Sequence, residues 1–230
     1  MDIEVLYEDN HLIIVNKKSG DITQGDKTGD TPLPEKVKLW LKNKYDKQGN
    51  VFLGVTHRLD RPTSGLVVFA KTSKSLSRMN KLFQEKKINK TYWAIVESKP
   101  NPIEGELVDF LQKNEKQNKS YVVTNSSLKN AKKATLTYKL IHSSDNYHLV
   151  EIAPKTGRHH QIRTQLANSG SIIKGDLKYG AKRSNKDGSI CLHARKIEFV
   201  HPVSKEIIQI TAPVPKDELW LYFQGEIDKK

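Results

Sequence analysis

Residues 57–70 of this 230-residue chain have the sequence HRLDRPTSGLVVFA, in which a polar loop runs directly into an apolar segment of strand length. Asp60 has one arginine two residues before it and another directly after it, and nearby positive charge favours the ionised form of a carboxylate. Pro62 lacks a backbone N–H and stiffens the turn. The stretch therefore predicts a rigid loop that carries an anion, which could be a nucleophile, a base or the partner in a structural ion pair.

Outward from this loop, short strands outnumber helices. Apolar spacing predicts a hairpin over 4–15, a helix that begins after Pro34, and a second helix over 76–83. Further strands are predicted at 92–96, 134–141, 147–152, 196–200 and 207–212, with a third helix at 161–169. Because strands and helices do not alternate regularly, we expect an α+β fold with a mixed, largely antiparallel sheet. The polar stretch 112–133 is either a mobile excursion or an exposed hairpin.

Composition excludes several classes of protein. With 36% hydrophobic and 28% charged residues, the chain is too apolar for disorder, and its longest apolar runs are far shorter than the roughly 20 residues of a membrane-spanning helix. Cys191 is the only cysteine, so no internal disulfide can form, and the acidic N-terminus does not resemble a signal peptide. We therefore expect a cytoplasmic protein.

The chain carries 39 lysines and arginines against 26 acidic residues, a formal net charge of +13. The excess is segregated: residues 1–35 hold three basic and eight acidic side chains, residues 71–90 hold seven and one, and residues 155–205 hold eleven and three. Such segregation favours one positive face that binds a polyanion. Solvated lysines on a generally basic protein are the alternative explanation.

A second polar cluster, KTGRHHQIR at 155–163, opens the third predicted helix, where a helix N-terminus attracts anions. Arg163 lies one turn into this helix and is able to point back at the loop of Asp60. Two adjacent histidines are poor metal ligands, because neighbouring side chains on a helix face different ways and no partner follows at ligand spacing. We expect no metal. No glycine-rich phosphate loop, Ser-His-Asp order or cysteine pair is present either.

Residues 57–66 resemble the signature loop of the RluA-type pseudouridine synthases. Four further segments resemble that family's landmarks in the expected order: KTYWAIV at 90–96, TGRHHQIR at 156–163, KGDLKYG at 174–180, and LHA at 192–194 with FVHP at 199–202. One departure is Lys17-Lys18-Ser19-Gly20, where family members typically have Lys-Pro before a small residue and glycine.

The resemblance implies a pseudouridine synthase fold over residues 1–230, a single catalytic domain with no appended N-terminal RNA-binding module. Its central sheet would be divided into two subdomains that flank a cleft, with Asp60 on the floor. The implied activity is isomerisation of uridine to pseudouridine in RNA, without metal or organic cofactor. Ribosomal RNA is the favoured substrate and transfer RNA the second choice, and we expect a monomer.

The resemblance also assigns roles to residues. Asp60 would be the catalytic aspartate, either as a nucleophile at the ribose or as a base. Arg163 would pair with Asp60 and keep it ionised, while Tyr92 would lie against the target uracil or serve only as a packed aromatic. Arg58 would fill the space left by the extruded nucleotide. The other residues expected to contact RNA are Arg61, Arg158, His159 and Gln161, which could instead shape the loop or tie it to the helix.

Two other functions stay open at this point. The net charge of +13 also suits a non-catalytic RNA-binding or ribosome-assembly factor. An aspartate-based phosphotransferase is the third candidate, but Pro62 stands where its second aspartate would be.

Overall fold

The computed structural model describes residues 3–25, 29–124 and 128–229. These residues form eleven strands and four α-helices, which confirms the α+β class. In chain order they are β1 (Val5–Glu8), β2 (Leu12–Lys17), α1 (Leu33–Lys44), β3 (Gly54–Val55), β4 (Ser64–Ala70), α2 (Ser73–Gln84), β5 (Ile88–Val96), β6 (Glu104–Asn114), β7 (Lys119–Val123), β8 (Lys132–Ser143), β9 (His148–Pro154), α3 (Gln161–Asn168), β10 (Leu192–Val200), β11 (Ile207–Thr211) and α4 (Glu218–Asp228).

The chain folds into two compact units. One comprises the described residues of Met1–Lys90 with Ala194–Pro215, and the other those of Thr91–His193 with Lys216–Lys230. The chain passes from the first unit to the second within β5 and returns within β10.

The first unit is built around β4, whose seven residues are all buried. β2 pairs antiparallel with β4 along its whole length, from Leu12 opposite Ala70 to Lys17 opposite Gly65, and β1 adds the predicted hairpin. β10 also neighbours β4 and forms a hairpin with β11. Helix α2 begins at a capping box in which Thr72 and Ser75 exchange hydrogen bonds. The polar loop 57–63 therefore leads into a buried strand that neighbouring strands hold in place on both sides.

The second unit contains the antiparallel strand order β5-β9-β8-β6-β7. Its core includes fully buried residues of β5, β8 and β9, namely Ala94, Ile95, Val96, Leu136, Leu149, Val150 and Ile152. Part of the polar stretch 112–133 belongs to the β6–β7 hairpin, while residues 125–127 lie outside the described part of the chain. Strand β6 and helix α4 were not predicted.

No helix in the described residues has both the length and the apolar character needed to cross a bilayer. Cys191 is a free thiol, and burial raises its pKa to about 11. It is therefore an inert core residue.

Candidate active site

The polar loop before β4 is anchored at its first residue. The Nε2 atom of His57 accepts a hydrogen bond from the Val68 N–H at 3.0 Å, and the imidazole lies 5.0 Å from the ring of Phe83 between centroids. Burial, assisted by the charge of Lys90, lowers the pKa of His57 to about 3. The ring is therefore neutral at physiological pH and serves as a hydrogen-bond acceptor that ties the loop to the strand.

Lys17 is a buried residue that holds the loop through hydrogen bonds to its backbone. Only 1% of this residue is exposed, and its Nζ donates to three backbone carbonyls, among them those of Arg61 at 3.1 Å and Thr63 at 2.6 Å. Burial lowers the pKa of Lys17 to about 8, although the carboxylates of Asp21 and Asp60 oppose the shift. The ammonium fixes the backbone on the C-terminal side of Asp60, a role that the sequence did not reveal.

Asp60 occupies a tight turn in this loop. Its carbonyl accepts the Thr63 N–H at 3.0 Å, and the next carbonyl, that of Arg61, accepts the Gly20 N–H at 2.9 Å. The residue is half-buried. These two hydrogen bonds hold the backbone at and directly after Asp60, so the turn fixes the point from which the carboxylate projects.

The loop ends at Gly65, which has a φ of +111°. A Cβ added here would lie 2.4 Å from the carbonyl oxygen of Ala194 in β10. Only glycine allows the two backbones to approach this closely.

Arg58 and Arg61 project from the same loop and are both exposed. Arg58 donates to the Oε1 of Gln24 at 2.6 Å, and Arg61 forms an ion pair with Asp30 at 2.6 Å. An exposed ion pair such as that of Arg61 contributes only about 0–1 kcal/mol to stability. RNA contact by either arginine stays a prediction.

Arg163 of α3 is 4% exposed and lies in the second unit. Its Nε and one terminal nitrogen donate to the two carboxylate oxygens of Asp176 at 2.7 and 2.8 Å, a bidentate pair. Thirteen residues separate the two, and the sequence contains no signal for this pair. The expected pairing of Arg163 with Asp60 joins residues of different units and stays a prediction.

Tyr92 lies on β5 opposite Ile152 and is 9% exposed. The next residue along the strand, Trp93, donates its indole N–H to Glu151 at 3.2 Å. The choice between a role at the uracil and one in packing stays a prediction.

The turn before α3 is held together by Gln161, which is 4% exposed. Its Oε1 accepts the Arg158 N–H at 3.0 Å and the Thr156 hydroxyl at 2.7 Å, while its Nε2 donates to the Thr135 carbonyl at 3.1 Å. These contacts agree with the alternative that Gln161 ties the loop to the helix. The side chain of Arg158 is exposed and donates to the carbonyl of Lys133. RNA contact by either residue stays a prediction.

His159 and His160 stack with 3.8 Å between ring centroids. His160 has a φ of +51°, precedes α3, and contacts the Tyr179 hydroxyl at 2.9 Å. Burial, and next the charge of Arg163, lower its pKa to about 2. His159 contacts the Ser120 hydroxyl at 2.9 Å and thereby links the turn before α3 to β7. In the described ranges, no three His, Cys, Asp or Glu side chains are grouped so that they could hold a metal ion.

Residues 11–168 match a family model described as RNA pseudouridylate synthase. An uncharacterized RNA pseudouridine synthase of Bacillus subtilis is 31% identical over 221 residues, which cover 94% of this chain and 70% of the relative. A ribosomal large subunit pseudouridine synthase C of Buchnera aphidicola from Acyrthosiphon pisum is 34% identical over 222 residues, which cover 93% of this chain and 68% of the relative.

A solved structure with a similar fold is that of human RNA pseudouridylate synthase domain containing 4. It superposes with a TM-score of 0.78 at 23% identity, covering 98% of this chain and 93% of the human chain.

Proposed function

This chain belongs to the RNA pseudouridylate synthase family, and we propose that it isomerises specific uridines of ribosomal RNA with Asp60 as the catalytic carboxylate. The enzyme class, an RNA pseudouridine synthase, follows from the family match over residues 11–168. The assignment of Asp60 is supported by its position on an anchored turn between two arginines, in a loop that resembles the family's signature.

The reaction breaks the bond from N1 of uracil to the ribose, turns the base, and joins C5 to the same ribose carbon. The C5 proton is lost and N1 gains one, so no redox partner is needed. Asp60 would act as a nucleophile at the ribose or as a base, and both roles need the ionised carboxylate. Asp60 lies close enough to the buried ammonium of Lys17 to act on the pKa of that lysine, which places the carboxylate beside the loop's own internal cation.

Arg163 and Tyr92 are proposed to act in the same reaction. The bidentate pair with Asp176 fixes the guanidinium of Arg163, which would then keep Asp60 ionised and oriented. Tyr92 would lie against the target uracil and assist removal of the C5 proton. These two roles rest on the sequence resemblance.

Extrusion of the target nucleotide costs a few kcal/mol of unstacking, and Arg58 is proposed to fill the space left behind. Its exposed guanidinium can stack on neighbouring bases and bind phosphate at the same time. Arg61, Arg158, His159 and Gln161 complete the proposed RNA contacts. Since Gln161 and His159 also hold the turn before α3, their RNA contacts would require partial exchange of partners.

Ribosomal RNA is proposed as the substrate because relatives such as the Buchnera aphidicola protein are named for the large ribosomal subunit. Transfer RNA is the second choice. We further propose that the protein is a cytoplasmic monomer; its one cysteine is a buried free thiol, which suits a reducing compartment.

The test is release of tritium from C5 of uridine-labelled ribosomal and transfer RNA, incubated separately and without added metal. Asp60→Asn should lower release by at least about 1,000-fold, because the side chain keeps its shape but loses its charge. Asp46→Asn removes a carboxylate from an exposed position with a φ of +47°, which asparagine tolerates, and should match wild type.

Release from ribosomal RNA alone would support the proposed substrate, whereas release from transfer RNA alone would replace it. Normal activity in Asp60→Asn would refute the catalytic assignment. Absence of release from both RNA pools, with tight RNA binding intact, would favour the assembly-factor function.

A further inference from the structure

Lys90 lies beside the anchor of the Asp60 loop. It is half-buried near the start of β5, in the same unit as that loop. Its Nζ is 5.9 Å from the centroid of the Phe83 ring, the same ring against which His57 packs. The charge of Lys90 also contributes to the low pKa of His57. The ammonium is thus close to the residue that immediately precedes Arg58.

Within the described part of the chain, no carboxylate is paired with Lys90. Glu85, the only acidic residue in 71–90, binds Lys87 at 2.7 Å. Glu198 of the β10 strand is in contact with Asn89, the neighbour of Lys90, at 3.4 Å. Burial accordingly lowers the pKa of Lys90 with no opposing contribution.

A desolvated ammonium without an anion is unfavourable for folding, and methionine could fill the same apolar space without that cost. A lysine held in this position is best explained by an anion that arrives from outside the chain. On the proposed function, the available anion is the RNA backbone, whose phosphate oxygens accept charge-assisted hydrogen bonds from lysine.

We propose that Lys90 binds a backbone phosphate of the RNA close to the target uridine, and that it forms one anion site with the loop of Arg58. This inference rests on the proposed function. In the competing explanation, the aliphatic part of Lys90 covers Phe83 while the ammonium merely reaches solvent, and RNA affinity does not depend on it.

The test measures RNA affinity across salt concentrations for wild type and Lys90→Met. The probe is a ribosomal RNA stem-loop from which wild type releases C5 tritium, so the proposed function is established before Lys90 is tested. Loss of one phosphate contact should reduce the magnitude of the slope of log affinity against log salt by about 0.7–0.9. Lys90→Arg should keep the slope of wild type.

Lys42→Met is the matched control, because Lys42 is an exposed lysine of the same unit that lies outside both basic segments, 71–90 and 155–205. It should leave the slope unchanged. Thermal unfolding supplies a second readout: Lys90→Met should unfold at the same temperature as wild type or higher, since a desolvated charge has been removed. If Lys90 served only to stabilise the fold, Lys90→Met would unfold at a lower temperature than wild type.

The proposal is overturned if Lys90→Met binds RNA with the slope and affinity of wild type. It is equally overturned if Lys42→Met lowers RNA affinity as much as Lys90→Met does, or if the affinity loss in Lys90→Met appears only together with a lower unfolding temperature. Weaker binding in a variant of undiminished stability supports it.

Discussion

Lys17 is a buried residue whose ammonium fixes the backbone of the Asp60 loop. Its ammonium has three carbonyl acceptors and no carboxylate in direct contact among the described residues. Such an arrangement orders the backbone next to Asp60, but it keeps a charge in a place that water barely reaches. The loop is therefore held at a cost to stability that depends on pH.

We predict that the free energy of unfolding of wild type, compared with that of Lys17→Met, increases as pH rises from 8 towards 10.5. The folded-state pKa of Lys17 is about 8, below the ordinary value of 10.5, so the unfolded chain binds more protons across this window. The full gain is roughly 3 kcal/mol. Urea unfolding at intervals of half a pH unit measures it.

Lys18→Met is the control for this measurement, because Lys18 is the exposed neighbour of Lys17. Its stability should follow that of wild type at every pH. Parallel curves for wild type and Lys17→Met would contradict the prediction and would mean that the three carbonyls fully compensate the burial of the ammonium.

Local sequence identified the polar segments of the site but not the long-range contacts of their side chains. The segment 57–65 and the polar cluster 155–163 were identified from residue types and local spacing. In contrast, Lys17 and Lys18 are identical side chains, and only the first is buried because carbonyls 44 and 46 residues away converge on it. The partnership of Arg163 with Asp176 likewise depends on how the backbone returns after α3.

At the scale of elements, β4 determines the position of the loop. It lies between β2 and β10 in its sheet, and all seven of its residues are buried. Gly65 is the second residue of the strand and lies against the backbone of Ala194 in β10, so one residue both ends the loop and packs against the neighbouring strand.

We predict that Gly65→Ala lowers the free energy of unfolding by at least about 3 kcal/mol, because the new methyl group would collide with the Ala194 backbone and the φ is unfavourable. Gly20→Ala is the matched control. Its φ is +91°, and its added Cβ meets no atom within 4 Å, so only the backbone cost of about 1 kcal/mol applies. Equal losses in urea unfolding would refute the steric argument.

The elements that sequence reasoning found are those with a clear period. The spacing of Val37 and Leu41 gave α1, and that of Leu76 and Met79 gave α2. Strand β6 was missed because its alternation is weak and includes exposed glutamates. Helix α4 was missed because its apolar residues are not confined to one face, although Asp217 caps it through the Leu219 N–H.

At the scale of the whole molecule, the positive charge is carried by segments of both units. Residues 71–90 belong to the first unit, and most of 155–205 belongs to the second. The residues with proposed catalytic roles are divided in the same way, with Asp60 in the first unit and Tyr92 and Arg163 in the second. If basic residues of each segment contact RNA, several phosphates are neutralised, not one.

We predict that affinity for ribosomal RNA falls steeply with salt, with a slope of about −4 or steeper in log affinity against log salt. That value corresponds to roughly four to six neutralised phosphates, and it lowers affinity roughly 250-fold between 50 and 200 mM salt. Filter binding of full-length Asp60→Asn, whose net charge rises by one, measures this without turnover. A slope near zero would mean that the excess of 13 positive charges is solvated and does not form the RNA contact.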